Sequence, residues 1–257
     1  MFIAELPSPN HNSRRPVAAS TAPRHVVIHY TGMPSRDAAL QRLCDPAAQV
    51  SAHYFVDQEG AVFRLVAEEQ RAWHAGVSFW RGVTDLNSTS IGIELCNPGH
   101  EWGYRPFPAP QISALIALLE DIVRRHRLPA TSLVGHSDIA PSRKVDPGEL
   151  FPWRTLARAG LGLWPEPSTS VRDPVQLDQA LQHLFSIGYA VPFTAETGAA
   201  ILDPRSAVPD VLRAFQRRFM PSDITGVLDE STGARILEVA QAFAQADGSA
   251  SESAGQA

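Results

Sequence analysis

The chain has 257 residues, 44% hydrophobic and 19% charged, a balance typical of a water-soluble globular protein with a substantial core. Its formal net charge of −5 does not supply the basic surface that nucleic-acid binding requires. No stretch approaches the about 20 apolar residues of a membrane-spanning helix, and the first residues lack the basic and apolar segments of a cleavable export signal.

The first strong structural signal follows a proline-rich beginning. Residues 1–23 contain four prolines and few large apolar side chains, so we predict an irregular N-terminal arm. The β-branched run 25–30 predicts a strand, which Thr31-Gly32 ends. Good helix formers then predict a short helix around 37–43.

The middle of the chain alternates strand and helix patterns. Residues 53–56 and 61–66 predict a β-hairpin that turns at Gly60, and residues 90–96 predict another strand. Apolar residues at helical spacing predict a helix over 110–125. A short apolar run then leads to His136, and a loop rich in proline and glycine turns Asp146 back toward it.

We therefore predict an α/β fold, a mixed β-sheet flanked by helices, over residues 24–165, followed by a small three-helix domain. A change of composition predicts a linker at 166–173, and three short amphipathic helices occupy 174–245, with Asp229 as N-cap of the third. The small and polar residues of 246–257 predict a disordered tail. The spacing of Cys44 and Cys96 matches neither a metal motif nor a disulfide scaffold.

One segment carries both imidazole and carboxylate chemistry. His136 and Asp146 are types of side chain that bind catalytic zinc, which takes three protein ligands and keeps one open position. His29, near the end of the first predicted strand, is the best third ligand, because strand ends of α/β sheets commonly carry function. Three further histidines of the same domain compete for that place: His53, His74 and His100.

Two charged residues fit the same site. Lys144 precedes Asp146 by two positions, and an ammonium there could stabilise developing negative charge. Glu94 alternates onto the strand face opposite Ile93 and Leu95. If that face is buried, the carboxylate needs a cation, a hydrogen-bond donor or a raised pKa, whereas a solvent-facing strand residue needs none of these.

Five sequence blocks in order resemble the zinc-dependent N-acetylmuramoyl-L-alanine amidases of the AmpD/AmiD type. The resemblance runs from about residue 24 to 165, and its order makes it more specific than any single block. The blocks are His25-Val-Val-Ile-His-Tyr-Thr31, Ser51-Ala-His-Tyr54, Arg71-Ala-Trp-His-Ala-Gly76, Asn87-Ser-Thr-Ser-Ile-Gly-Ile-Glu94 and the segment from Gly135 to Gly148.

The resemblance implies a role for eight positions. Three would bind Zn²⁺: His29, His136 and Asp146. Glu94 and Lys144 would be the catalytic carboxylate and ammonium. Three would line the substrate groove: Trp73, His74 and Ala75.

The implied reaction is hydrolysis of the amide between N-acetylmuramic acid and L-alanine, with peptidoglycan or muropeptides as partners. Residues 181–189, 214–219 and 226–232 resemble the three-helix peptidoglycan-binding module that accompanies wall hydrolases.

The alternative functions are a non-catalytic peptidoglycan-binding protein and a zinc peptidase that cuts within the stem peptide. Lack of an export signal favours the cytoplasm and soluble 1,6-anhydro fragments, whereas a wall-binding module favours the cell envelope; the sequence leaves the oligomeric state open.

Overall fold

The computed structural model describes residues 2–167, 174–192 and 207–254. The linker predicted at 166–173 lies, from residue 168 onward, outside the described residues. Across the described ranges, no helix combines the length and the apolar character needed to cross a bilayer.

The predicted elements appear with nearly the predicted bounds, and several short ones are added. The strands are β1 (Ile3–Glu5), β2 (His11–Ser13), β3 (His25–Tyr30), β4 (Tyr54–Val56), β5 (Val62–Arg64), β6 (Gln70–Ala72), β7 (Ser90–Leu95) and β8 (Leu133–Gly135). The α-helices are α1 (Arg36–Cys44), α2 (Leu86–Thr89), α3 (Ala109–His126), α4 (His136–Ile139), α5 (Trp153–Arg158), α6 (Leu177–Ile187), α7 (Val208–Phe219) and α8 (Glu230–Ala254).

A six-stranded sheet organises the fold, in the order β1-β5-β4-β7-β3-β8. Its neighbouring strands are parallel except for β4 and β5, which form the predicted hairpin. Gly60 turns that hairpin with a φ of 88°, which glycine adopts without steric cost. β2 and β6 form a separate antiparallel pair. The architecture is the predicted mixed α/β sheet with flanking helices.

Alternation along β3 separates the two faces of the sheet. Val26 and Ile28 pack in a core with the apolar side of α3, while Val27 belongs to the core on the other face. His29 has the parity of Val27, and it lies opposite Glu94 of β7 in the strand register. Both side chains therefore point away from the α3 core, which agrees with the face predicted for Glu94.

The N-terminal arm is more regular than its composition predicts. β1 extends the central sheet beside β5, and β2 pairs with β6. Arg14 is buried, and its guanidinium donates to the backbone carbonyls of Glu68, Ser88 and Ser90 at 2.7–3.0 Å. Backbone pairing and the buried Arg14 attach the arm to the fold. Because these contacts do not need large apolar side chains, the composition of the arm does not predict its order.

The C-terminal helices match the three predicted ones, and Asp229 caps α8 by accepting the Thr232 N–H at 2.7 Å. They do not form a core of their own. Leu184 of α6 and Phe215 of α7 belong to the same buried cluster as Val27 and Val134 of the sheet. A shared core therefore joins the predicted three-helix domain to the sheet.

Helix α8 continues through most of the tail for which the composition predicts disorder. It ends at Ala254, and residues 255–257 lie outside the described residues. Alanine has the highest helix propensity, and extending an existing helix avoids the cost of a new nucleus. The helix packed at Ile236 and Phe243 thus extends into the tail.

Candidate active site

Three buried side chains converge at the carboxyl ends of the parallel strands. His29 Nδ1 lies 2.9 Å from His136 Nδ1 and 3.1 Å from Asp146 Oδ2, and the latter two atoms are 3.0 Å apart. Around a tetrahedral zinc with bonds of about 2.0 Å, neighbouring ligands are separated by roughly 3.3 Å. The three donors therefore fit one metal ion in a single shared coordination sphere.

The topology explains the convergence. His29 is near the end of β3, and His136 begins α4 directly after the neighbouring parallel strand β8. The loop after α4 returns to them, and the Ser137 N–H donates to the Asp146 carbonyl at 2.8 Å. Ligands far apart in sequence thus meet at one edge of the sheet.

The outer nitrogen of each histidine is occupied by a neighbour. His29 Nε2 lies 3.0 Å from His74 Nδ1, and His136 Nε2 lies 3.3 Å from the Ala75 carbonyl oxygen. Such contacts fix ring orientation and leave the opposite nitrogen for a metal. Both rings therefore present Nδ1 to the centre.

Electrostatics favour the protonation states that metal binding needs. Burial and the adjacent His136 lower the pKa of His29 to about 4. Burial alone would raise the pKa of Asp146, but the two histidines hold it well below its ordinary range. Neutral imidazole and ionised carboxylate are the ligand forms.

Glu94 brings a carboxylate to the same place. Its Oε2 is enclosed and has no hydrogen-bond partner among the described residues. Burial, followed by repulsion from Asp146, raises its pKa to about 8, against the opposing influence of Lys144. An enclosed carboxylate that exchanges a proton near neutral pH is suited to general acid–base chemistry.

Lys144 is the only lysine of the chain. It lies on the loop between His136 and Asp146, where its backbone N–H donates to the Ala140 carbonyl at 3.0 Å. Its side chain lines a cleft of about 710 Å³, with Tyr30 and Trp102 among the other lining residues. Of the eight predicted site residues, this cleft is lined by His29, Trp73, His74, Glu94, His136, Lys144 and Asp146.

The three predicted groove residues have different surroundings. Trp73 is half-buried on the cleft, and its indole N–H donates to Asn12 Oδ1 at 3.0 Å. His74 is buried against His29, so its contacts support that ring. Ala75 is fully buried and is not among the residues that line the cleft; its carbonyl oxygen lies 3.3 Å from His136 Nε2.

Asn87 and Gly92 also support the site, although the sequence does not predict a role for either residue. Asn87 Oδ1 accepts the backbone N–H groups of His74 and Ala75 at 2.9 and 2.7 Å. A Cβ on Gly92 would lie 2.4 Å from the His74 ring. A glycine inside an apolar strand marks such a close approach, and this signal could have identified Gly92. Asn87 begins one of the five resembling blocks, but its residue type alone does not indicate that it binds the backbone of His74 and Ala75.

Comparison with known proteins agrees with this geometry. A family model for N-acetylmuramoyl-L-alanine amidase matches residues 19–149. N-acetylmuramoyl-L-alanine amidase AmiD of Escherichia coli (strain K12) is 38% identical over 252 residues, covering 90% of this chain and 87% of AmiD. The 1,6-anhydro-N-acetylmuramyl-L-alanine amidase AmpD of Enterobacter cloacae is 33% identical over 165 residues, covering 58% of this chain and 84% of AmpD.

Solved structures extend the similarity over the C-terminal helices. E. coli AmiD in complex with anhydro-N-acetylmuramic acid-L-Ala-D-γ-Glu-L-Lys has a TM-score of 0.75 and 37% identity, covering 90% of this chain and 94% of that one. AmpDh3 of Pseudomonas aeruginosa, in complex with an anhydromuramic pentapeptide, has a TM-score of 0.74 and 33% identity, covering 90% and 97%. By sequence and by fold, the chain belongs to the N-acetylmuramoyl-L-alanine amidase family and is an enzyme of that activity.

Proposed function

We propose that this amidase hydrolyses the bond between the lactyl group of N-acetylmuramic acid and L-alanine in muropeptides, with a zinc ion bound by His29, His136 and Asp146. The observation that carries the proposal is the convergence of these three donors to within 3.1 Å, beside the enclosed carboxylate of Glu94. The muropeptide-bound structures of AmiD and AmpDh3 support the choice of substrate.

The donor set supports zinc over the harder divalent cations. Two imidazoles and one carboxylate suit zinc, whereas Mg²⁺ and Ca²⁺ are bound mainly by oxygen ligands. Three protein ligands also leave the open position that is typical of catalytic zinc sites. When bound, zinc would supply Lewis acidity toward the scissile carbonyl and lower the pKa of a water molecule.

The surrounding side chains have separate roles in proton transfer, oxyanion stabilisation and substrate binding. Glu94 accepts a proton from the attacking water and returns it to the departing amine of L-alanine. Its enclosed Oε2, which has no hydrogen-bond partner among the described residues, is available to take up and release that proton. Lys144, on the cleft wall, donates to the oxyanion that forms at the carbonyl. Trp73 and the exposed ring of Trp102 provide apolar walls for the muramoyl peptide.

Mass analysis of digests tests the reaction. We expect the zinc-loaded protein to release stem peptides with an N-terminal L-alanine from anhydro-muropeptides. Peptides cut internally would instead identify a stem-peptide peptidase, and binding without cleavage would identify a recognition protein. Relative rates on anhydro-muropeptides and intact sacculi then separate an enzyme of soluble fragments from one of the polymeric wall.

Two variants test the roles of the residues, each with a matched control. His29→Ala should lose both bound zinc and activity, whereas His183→Ala on α6 should retain both. Glu94→Gln should retain zinc while turnover falls about 10²- to 10⁴-fold, and Glu120→Gln on the exposed side of α3 should leave turnover unchanged. Full zinc content and activity in His29→Ala would refute the ligand assignment.

A further inference from the structure

The C-terminal helices reach the segment that carries His136. Arg218 of α7 and Tyr189, which follows α6, are both almost completely buried. Both side chains contact Asp138, two residues after His136, instead of facing a surface that could bind a polymer. Their position within the shared core raises the question of what they contribute to the active site.

Asp138 is bound from three sides. Its Oδ2 accepts Arg218 Nη1 at 2.7 Å and the backbone N–H of Gly135 at 2.8 Å. Its Oδ1 accepts the hydroxyl of Tyr189 at 2.7 Å. Arg218 Nη2 also donates to the Leu133 carbonyl at 2.9 Å. One guanidinium therefore fixes residues on both sides of His136.

The environment of Arg218 restricts the geometry of this link. The guanidinium carbon lies 4.3 Å from the ring centroid of Trp153 and 4.9 Å from that of Phe219. The planar group is thus stacked as well as hydrogen-bonded, an arrangement that lysine cannot reproduce. Arg218 and Asp138 form a buried ion pair at 2.7 Å, so charge, hydrogen bonds and ring contacts together hold the guanidinium in one position.

The contacts of Asp138 can affect the position of the metal-binding atoms, because only a few bonds separate them. His136 begins the helical turn whose backbone Asp138 caps, and Ser137 is hydrogen-bonded to the Asp146 carbonyl. A rotation of this turn would move His136 Nδ1 relative to His29 and Asp146 together. Groups that orient metal ligands commonly change metal affinity or activity by about 10- to 100-fold when they are removed.

We propose that Arg218 and Tyr189 are positioning residues that fix His136 through Asp138, so that the C-terminal helices form part of the support of the metal centre. The inference rests on the proposed function, because it takes His136 as a metal ligand. It assigns to these helices a role in the catalytic step, separate from any role in binding the wall.

The test uses the full-length chain and Tyr189→Phe, which removes a single hydroxyl from the network. Zinc affinity is measured by competition with a chromogenic chelator, and kcat and KM are measured on an anhydro-muropeptide. We expect zinc affinity and kcat each to fall about 10-fold, with KM nearly unchanged. The matched control is Tyr54→Phe, which removes a buried tyrosine hydroxyl bonded to Glu68 and remote from the cleft.

A second pair of variants covers the arginine. Arg218→Lys retains the charge but lacks the planar fork that reaches Asp138 and the Leu133 carbonyl from two separate nitrogens, and we expect a larger loss of zinc affinity than in Tyr189→Phe. Arg235→Lys on α8 is the control, because Arg235 is also buried and pairs with Glu238. Should Arg218→Lys fail to fold, the hydroxyl variant still decides the question.

The outcomes separate the two proposals. If the parent protein neither binds zinc nor cleaves the substrate, the proposed function fails. If the parent does both, while Tyr189→Phe matches Tyr54→Phe within twofold in zinc affinity and kcat, the positioning role alone is overturned.

Discussion

The N-terminal arm and the C-terminal helices each insert a buried arginine behind the active site, but the two cations bind different partners. Arg14 donates to backbone carbonyls around Asn87, the residue that holds His74 and Ala75. Arg218 pairs with the carboxylate of Asp138 beside His136. Burial lowers the pKa of Arg14 to about 10. Arg14 therefore binds mainly main-chain carbonyls, whereas Arg218 has, besides the Leu133 carbonyl, a side-chain counter-charge that can be replaced.

The largest expected effect comes from leaving the ion pair half complete. Asp138→Asn leaves the cation of Arg218 without its counter-charge in the core, and we expect a loss of about 3–5 kcal/mol in the free energy of unfolding. The double variant Asp138→Asn/Arg218→Met should lose less than the single one, since removing both charges costs less than removing one. Urea denaturation measures both; a double variant less stable than Asp138→Asn would contradict this account.

The arm should behave differently, because its acceptors cannot be substituted. Arg14→Ala removes a buried donor that three main-chain carbonyls share, and we expect a loss of about 3 kcal/mol in the free energy of unfolding, measured by urea denaturation. Arg15→Ala, at the exposed neighbouring position, is the control and should change stability by less than about 0.5 kcal/mol. A loss below about 1 kcal/mol in Arg14→Ala would show that the bonds of Arg14 to these carbonyls do not stabilise the fold.

His25 lies where the two regions approach each other. Arg24 bonds to Val17 of the arm, and Arg81 pairs with Asp247 of α8. Burial, then Arg81 and Arg24, lowers the pKa of His25 from 6.5 to about 4. Its contribution to stability is therefore complete above about pH 6.5 and declines as the pH falls toward 4, because the unfolded chain binds a proton that the folded chain does not.

In the variant His25→Leu, the free energy of unfolding should fall less steeply as the pH is lowered from 6.5 toward 4. The slope should decrease by up to about 1.4 kcal/mol per pH unit, the value for one proton. Nδ1 of His25 has no hydrogen-bond partner among the described residues, so the substitution leaves no protein group unpaired at that atom. Urea denaturation at pH 4.5–7 measures the slope, and His183→Leu on α6 is the reference. Identical slopes in the parent and His25→Leu would show that His25 does not titrate as described.

An exposed ion pair of the arm gives the smallest effect. Glu5 and Arg64 connect β1 to β5 at 2.7 Å, but their side chains are 59% and 47% exposed. We expect Glu5→Gln to cost no more than about 0.5 kcal/mol, and less at high salt. A loss comparable with that of Asp138→Asn would mean that burial is not what distinguishes the two pairs.

The sequence predicts the elements that carry a strong local period. β3, β7 and α3 combine β-branched runs or helical spacing with clear ends, and their bounds differ from the structure by a residue or two. The strands β1, β2 and β6 escape prediction because, unlike the equally short β4, β5 and β8, they lack an apolar run, and their pairing is decided by distant partners.

The residues of the candidate site also divide into those that the sequence predicts and those that it does not. The donors His29, His136 and Asp146 are suggested by chemistry and strand position, and the structure brings them together. The orientation of a side-chain ring is harder to predict. No neighbouring residue in the sequence indicates that the ring of His74 faces His29 and not the open cleft. Arg218 is similarly hidden, since its partner Asp138 lies 80 positions away in the chain.

The single lysine makes the cleft chemically addressable. An amine-selective reagent can react with one side chain only, Lys144, and otherwise with the α-amino group. A fluorescent or isotopic tag introduced in this way reports directly from the cleft wall, without mutation of other residues. The same chemistry warns against coupling the protein to aldehyde or succinimidyl supports, because immobilisation through Lys144 would close the cleft to its substrate.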